Sequence, residues 1–259
     1  MLNKLIIILI LISVVTFGYA NTAASNIVRN GLASYWSFDS GTVINGTLKD
    51  VFGVNDGIII GEFELVDGKV GQALRNANGE VTNYVQVASD VLLGAASITV
   101  WAMAEALPAT HYVFGHTTLP TWKDRVQIYS DSDGQLDLGM GDSHTRHTNI
   151  APLELGVWYH IGLTYDDTPT GDYKVYVNGE LKAEGTSTAF NELMGFADIA
   201  NDGAETGRDE GWIGVIDEFC LYDRVLSIDE IRQNYQAQGL AVNPPGKLSA
   251  TWGKIKTEY

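Results

Sequence analysis

The stretch YKVYVNGELKA, residues 173–183, leaves the chain few ways to fold. Tyr173, Val175 and Val177 alternate with Lys174 and Tyr176, Asn178–Gly179 interrupts, and Leu181 and Ala183 resume the alternation. A period of two puts alternate side chains on opposite faces of a strand, and Asn-Gly supplies the positive φ angles of a type I′ turn. The pattern predicts a β-hairpin. The stretch DRVQIYSDSDGQLDLGM, residues 124–140, repeats it: Val126 and Ile128 share one face, a turn falls around Asp133–Gly134, and Leu136, Leu138 and Met140 follow. Its other face carries Arg125, Gln127, Tyr129, Gln135 and Asp137.

Strand patterns of the same kind recur in LASYWSF, NYVQVA, ASITVWAMA, HYVFGHT and VWYHIGLTY, separated by Gly, Asn, Asp and Pro. From Gly31 to about Tyr222 this spacing predicts an all-β domain. One helix is expected, after the strand that ends near Tyr222. Ser227 and Glu230 form a capping box, and Ile228, Ile231 and Tyr235 fall at helical spacing.

The ends set the compartment. Residues 1–20, MLNKLIIILILISVVTFGYA, read as a secretory signal peptide: Lys4, an apolar run from Leu5 to Val15, then Gly18 and Ala20 at a cleavage site. The run is shorter than the roughly 20 apolar residues that cross a bilayer, so no membrane span is expected after cleavage. The expected product is secreted, whether extracellular, periplasmic or at the cell surface. Residues 21–30 read as a leader and 31–240 as one domain. Residues 241–259 read as a Pro244–Pro245–Gly246 linker and a basic tail. With 16 Lys plus Arg against 32 Asp plus Glu, the formal charge of −16 repels phosphate backbones and argues against a nucleic-acid partner. Cys220, the single cysteine, lies in an apolar strand and is expected to behave as a small buried hydrophobe.

The segments GLASYWSFDSGTVINGTLKDVFGVNDGIIIG, GKVGQALRNANGEVTNYVQV, SITVWAMAEA, GVWYHIGLTYDD, YKVYVNGELKAEG and IGVIDEFCLYDRVLSIDEIRQNY resemble, in content and order, the LamG-like jelly-roll domains of the concanavalin A-like lectin/glucanase superfamily. The resemblance covers roughly Gly31 to Tyr235. It implies two antiparallel sheets packed as a sandwich with a bent, concave face, which the period-two patterns favour independently. Its functional implication is broader, because such folds carry binding modules, adhesins, hydrolases and lyases.

Laminarinase-type hydrolases on this fold carry E-x-D-x-E or E-x-D-x-x-E on one strand face, and no such run is present; EFELVDG and AETGRDEG lack the spacing. A lyase-like Q-[IV]-H strand is reduced to Gln127–Ile128–Tyr129, without its basic and acidic partner strand. His144 and His147, three apart in a strand context, point to opposite faces and make a poor zinc pair. No catalytic residue is assigned. The first reading is therefore a secreted, non-catalytic module for a carbohydrate or cell-surface ligand; the alternatives are a glycan-active hydrolase or lyase, or an adhesion component. The polar hairpin face of Arg125, Gln127, Tyr129, Gln135 and Asp137 is the expected floor of the ligand groove, with Trp122 as a wall. Tyr129 offers a ring for stacking, and Arg125 and Gln127 offer planar donors. Trp36, Trp101 and Trp158 are expected in the core. Asp39 ends the first strand and Asp217 interrupts the last. If those strands are neighbours the two acids meet, either accepting backbone hydrogen bonds or sharing one structural calcium ion, which the resemblance implies at this junction.

Overall fold

The computed structural model describes residues 26–80, 82–92, 94–118, 123–141, 146–166, 171–187, 195–202, 211–237 and 239. Residues 1–20, expected to be a signal peptide, the expected basic tail, Trp122, His144 and the acids of AETGRDEG lie outside them.

The first strands are β1 Leu32–Trp36, β2 Val43–Ile44, β3 Thr47–Leu48, β4 Gly57–Ile60, β5 Glu64–Asp67 and β6 Gln72–Asn76. Then come β7 Tyr84–Ala88, β8 Ala96–Ala104, β9 His111–Thr118, β10 Lys123–Ser130, β11 Gln135–Gly141 and β12 Arg146–Pro152. The last are β13 Trp158–Tyr165, β14 Asp172–Val177, β15 Glu180–Thr186, β16 Phe196–Ile199 and β17 Gly214–Tyr222, followed by helix α1 Ile228–Gln236. Both hairpins form as expected: Asn178 and Gly179 have φ of 52° and 78°, and Gly134 has φ of 75°.

The strands make two antiparallel sheets. One runs β12-β11-β10-β9-β16-β7-β4-β3-β2; the other runs β15-β14-β13-β8-β17-β6-β5, with β1 also paired to β17. Between the sheets, Val126, Ile128, Leu136, Leu138, Val85, Val87 and Phe114 meet Ile98, Val100, Ile161, Leu163, Val175 and Ile216 in one apolar core. Each such aliphatic side chain contributes about 1.5–3 kcal/mol by leaving water.

A second apolar cluster lies on the far side of the eight-stranded sheet. There Tyr35, Tyr176, Cys220 and Tyr222 pack beneath Ile27, Val28, Leu226, Ile231 and Ala237, so α1 and the N-terminal segment cover that face. Cys220 is buried here, as its strand pattern indicated. The capping box is complete: Ser227 Oγ accepts the Glu230 N–H, and Glu230 accepts the Ser227 N–H at 2.9 Å. Asn234 ties the helix down, donating to Tyr222 Oη at 2.8 Å and accepting the Val28 N–H at 2.8 Å.

The three tryptophans expected in the core divide. Trp36 is fully buried in it. Trp101 is buried on the opposite face, against His160 and Tyr235, with Lys69 Nζ 4.3 Å from its ring centroid. Trp158 is only half-buried, because it starts its strand at the end of the sandwich.

Candidate ligand-binding face

The nine-stranded sheet turns one face to the core and one away from it. The hairpin residues lie on the outward side, as their alternation required: Arg125 stands opposite Gly141, Gln127 opposite Gly139, and Tyr129 opposite Asp137. They do not form an open floor. Arg125, Gln127, Tyr129 and Asp137 are only 1–4% exposed, and Gln135 is half-buried at the strand start. Part of the reason is chain that follows β16. Gly115, the β9 partner of Gln127, has the main chain of Asp202 packed directly on it, where a Cβ would collide.

Within this covered half the side chains hold one another. The Tyr112 and Tyr129 rings lie 5.1 Å apart at 38°. Arg125 Nη1 reaches Gln127 Oε1 at 3.4 Å, above Gly139, where a Cβ would come within 2.9 Å of that oxygen. Gln127 Nε2 is buried without a hydrogen-bond partner. Asp137 Oδ1 accepts the N–H of Asn149 at 2.8 Å, and burial pushes its carboxyl above the usual carboxylate range.

Strand register extends the face well beyond the hairpin. Thr47, Ile58, Gln86, Asp198, Gly115, Gln127, Gly139 and Arg146 stand opposite one another in succession, a single row across β3, β4, β7, β16, β9, β10, β11 and β12. Asp198 is a residue that sequence reasoning missed. Its signal is faint: an acid in the four-residue run FADI, between two core residues, Ala197 and Ile199. It is 5% exposed and bonded to the Gln86 side chain, and burial together with neighbouring Asp202 pushes its carboxyl up to about 7. Its Oδ1 has no hydrogen-bond partner. From β16 towards β2 the face becomes accessible: Gln86, Tyr84 and Ile60 are half-exposed and Ile58 is 59% exposed.

The expected acid pair forms on the other sheet. β1 and β17 are antiparallel neighbours, with Trp36 opposite Phe219. β17 pairs with β6 through Gly214–Ile216 and with β1 from Phe219 onward; between these stretches lie Asp217 and Glu218, the latter at φ 53°. Both expected acids reach the turn between β5 and β6. Asp39 Oδ1 accepts the Gln72 N–H and Asp217 Oδ2 the Val70 N–H, each at 2.9 Å. Asp217 is fully buried, its Oδ1 lacks a hydrogen-bond partner, and burial pushes its carboxyl up to about 7 against the pull of the Val70 N–H. Glu218 accepts the Tyr35 hydroxyl on both oxygens and is pushed up to about 8 by burial and by Asp217. Two carboxylates are only part of the six to eight oxygens calcium takes. Among the described residues no group of three His, Cys, Asp or Glu is placed to hold a metal.

A separate groove of about 610 Å³ opens at the end of β5 and β6, lined by Glu62, Phe63, Glu64, Arg75, Asn78 and Glu80. Its arginine is already bound to Glu64 at 2.7 Å and Glu105 at 2.8 Å. No helix of the described residues is long and apolar enough to cross a membrane.

Comparison with known proteins places this geometry among lectin-like sandwiches. Residues 78–232 match a family described as the concanavalin A-like lectin/glucanases superfamily. The mouse and rat forms of Sushi, von Willebrand factor type A, EGF and pentraxin domain-containing protein 1 are 26% and 25% identical over 149 residues, which is 52% of this chain and 4% of those proteins. Trypanosoma rangeli sialidase in complex with sialic acid matches 84% of this chain over 36% of its own, with TM-score 0.67 and 18% identity. Domain 4 of AbnA, a GH43 extracellular arabinanase from Geobacillus stearothermophilus solved with arabinotriose, is matched over its full length and 82% of this chain, with TM-score 0.63 and 21% identity. At such identities the structural matches establish the fold alone.

Proposed function

The chain belongs to the concanavalin A-like lectin/glucanase superfamily, and we propose that it is a secreted module that binds a carbohydrate without transforming it. The observation that carries the reading is the outward row of the nine-stranded sheet. Gln86 and Asp198 stand opposite each other on it, where the face becomes accessible beside Tyr84, Ile60 and Ile58. Amide groups both donate and accept, as a sugar hydroxyl requires. A buried polar atom that lacks a partner, here Asp198 Oδ1, is uncommon in folded proteins and calls for a specific explanation. One neighbouring fold, an arabinanase domain matched over its full length, was solved with arabinotriose, a neutral oligosaccharide, which supports a glycan as the ligand class. A glycan array tests the reading, with retention of at least one oligosaccharide expected. Product analysis on the retained glycan separates binding from hydrolysis or elimination, and intact ligand is expected.

A structural calcium ion held by Asp39 and Asp217 is a second proposal, independent of the ligand. It is favoured by the buried, unpartnered Oδ1 of Asp217. The readout is a rise in Tm on adding calcium after chelation.

A further inference from the structure

We propose that the accessible half of the outward face, between β4 and β16, is where a neutral oligosaccharide makes contact, with Gln86 as the hydrogen-bonding residue and Asp198 as the residue that positions it. This rests on the glycan-binding reading above and assigns the contact to a different part of the sheet from the β10–β11 hairpin.

The strip is defined by register. Val85 and Val87 enter the core, so Tyr84, Gln86 and Ala88 face outward; Ala197 and Ile199 enter the core, so Phe196 and Asp198 face outward beside them. Phe196 stands opposite Ala88, Asp198 opposite Gln86, and Ile60 opposite Tyr84. An aromatic ring therefore lies towards each end, with an amide between them. Four residues of strand separate the two levels, roughly 13 Å. Phe196 and Tyr84 are half-buried, so part of each remains accessible, and Ile58 widens the strip with 59% of its surface exposed.

Chemistry selects the ligand. Aromatic and aliphatic side chains offer apolar surface to the C–H faces of a sugar, and the amide between them meets its hydroxyls. Ile58, Ile60, Tyr84, Gln86, Phe196 and Asp198 include no cation. A sulfated or carboxylated sugar would find no counter-charge here, and the net charge of −16 repels it at longer range. Asp198 is itself buried, so it acts through Gln86, whose side chain it holds. With one amide atom held by the carboxyl, the other is oriented outward before the ligand arrives, which lowers the entropic cost of binding.

The experiment uses the full chain and the neutral oligosaccharide best retained on the array, titrated calorimetrically. Tyr84→Ala and Gln86→Ala are expected to weaken binding about three- to tenfold each, the scale of one lost hydrogen bond or stacking contact; Tm should change little in Tyr84→Ala and fall in Gln86→Ala, which also unpairs the buried Asp198 carboxyl. Asp198→Asn keeps an acceptor for Gln86 but cannot ionise. It should therefore bind within about threefold of the wild type, whereas Asp198→Leu, which cannot hold the Gln86 amide, should weaken binding to the level of Gln86→Ala. If the wild type retains only anionic glycans, or if both alanine variants bind within twofold of it, the strip is not the contact surface although the glycan reading survives. If the wild type retains no glycan, that reading falls and the strip with it. An Ile58→Asp variant that turns a wild-type dimer into a monomer would assign the strip to a second copy of the chain and overturn the proposal.

Discussion

Asp39 and Asp217, 178 positions apart in sequence, hold the same β5–β6 turn, one through the N–H of Gln72 and the other through that of Val70. The turn itself has no room for a side chain at Gly71, which has φ of 62° and a position where a Cβ would run into the Asp39 carboxylate. Gly71→Ala is therefore expected to cost about 1–3 kcal/mol, from left-handed strain and the displaced acid. Chemical denaturation of the variant beside the wild type measures it. A loss below about 0.5 kcal/mol, the scale of a neutral surface change, would show that the turn is not fixed by the acid pair.

Stability should fall as pH rises from about 5 to 8 in the presence of a chelator. Asp198 and Asp217, each pushed up to about 7, and Glu218, pushed up to about 8, are all buried acids. A raised folded-state value means that the stabilisation is fully present below the unfolded value near 4 and is lost as pH climbs through 7 to 8. Tm measured at half-unit intervals checks this, and a rising or flat Tm over that range contradicts it. Calcium at the Asp39–Asp217 pair would restore part of the lost Tm at pH 8.

Tyr129→Ala and Arg125→Ala should both destabilise the fold. An outward hairpin face suggests surface residues with changes inside about 1 kcal/mol, but both side chains are nearly inaccessible, Tyr129 against Tyr112 and Arg125 above Gly139. Tyr129→Ala is expected to cost about 2–4 kcal/mol, in the range for removing a large buried side chain. Differential scanning calorimetry gives the answer, and a Tm unchanged in both variants would mean that this half of the face is open in solution.

Trp101→Ala should cost about 3–5 kcal/mol, although Trp101 is outside the inter-sheet core. Its ring closes the far face between His160, Tyr235 and Lys69. Chemical denaturation, as for Gly71→Ala, measures the loss; normal stability with lost ligand affinity would instead make the ring a binding surface.

The elements legible in sequence are those with local signals. Asn178–Gly179 with alternating flanks announced the β14–β15 hairpin, and Ser227 with Glu230 announced the helix. β2, β3, β5 and β16 were not legible, being two to four residues long and too short to show a period. The meeting of Asp39 and Asp217 was expected only on the condition that the first and last strands pair, and they do. Asp39, however, lies beyond the end of β1 at Trp36, in the loop that follows, and not within the strand as its sequence suggested. The direction of Arg125, Gln127 and Tyr129 was readable for the same period-two reason, whereas their burial was not, because the chain over Gly115 comes from Asp202, far along the sequence. Asp198 was hidden likewise: its place beside Gln86 follows from strand register across more than a hundred residues, which no local pattern encodes.

The central claim is that a carbohydrate binds the outward face of the nine-stranded sheet, and amide chemical-shift mapping tests it most directly. The full chain, labelled with 15N, is titrated with the oligosaccharide retained on the array. The account predicts perturbations concentrated in Tyr84–Ala88 and Phe196–Asp202, with little change along α1. Perturbations confined to the groove around Glu62, Arg75 and Glu80, or to α1 and the β5–β6 turn, would contradict it.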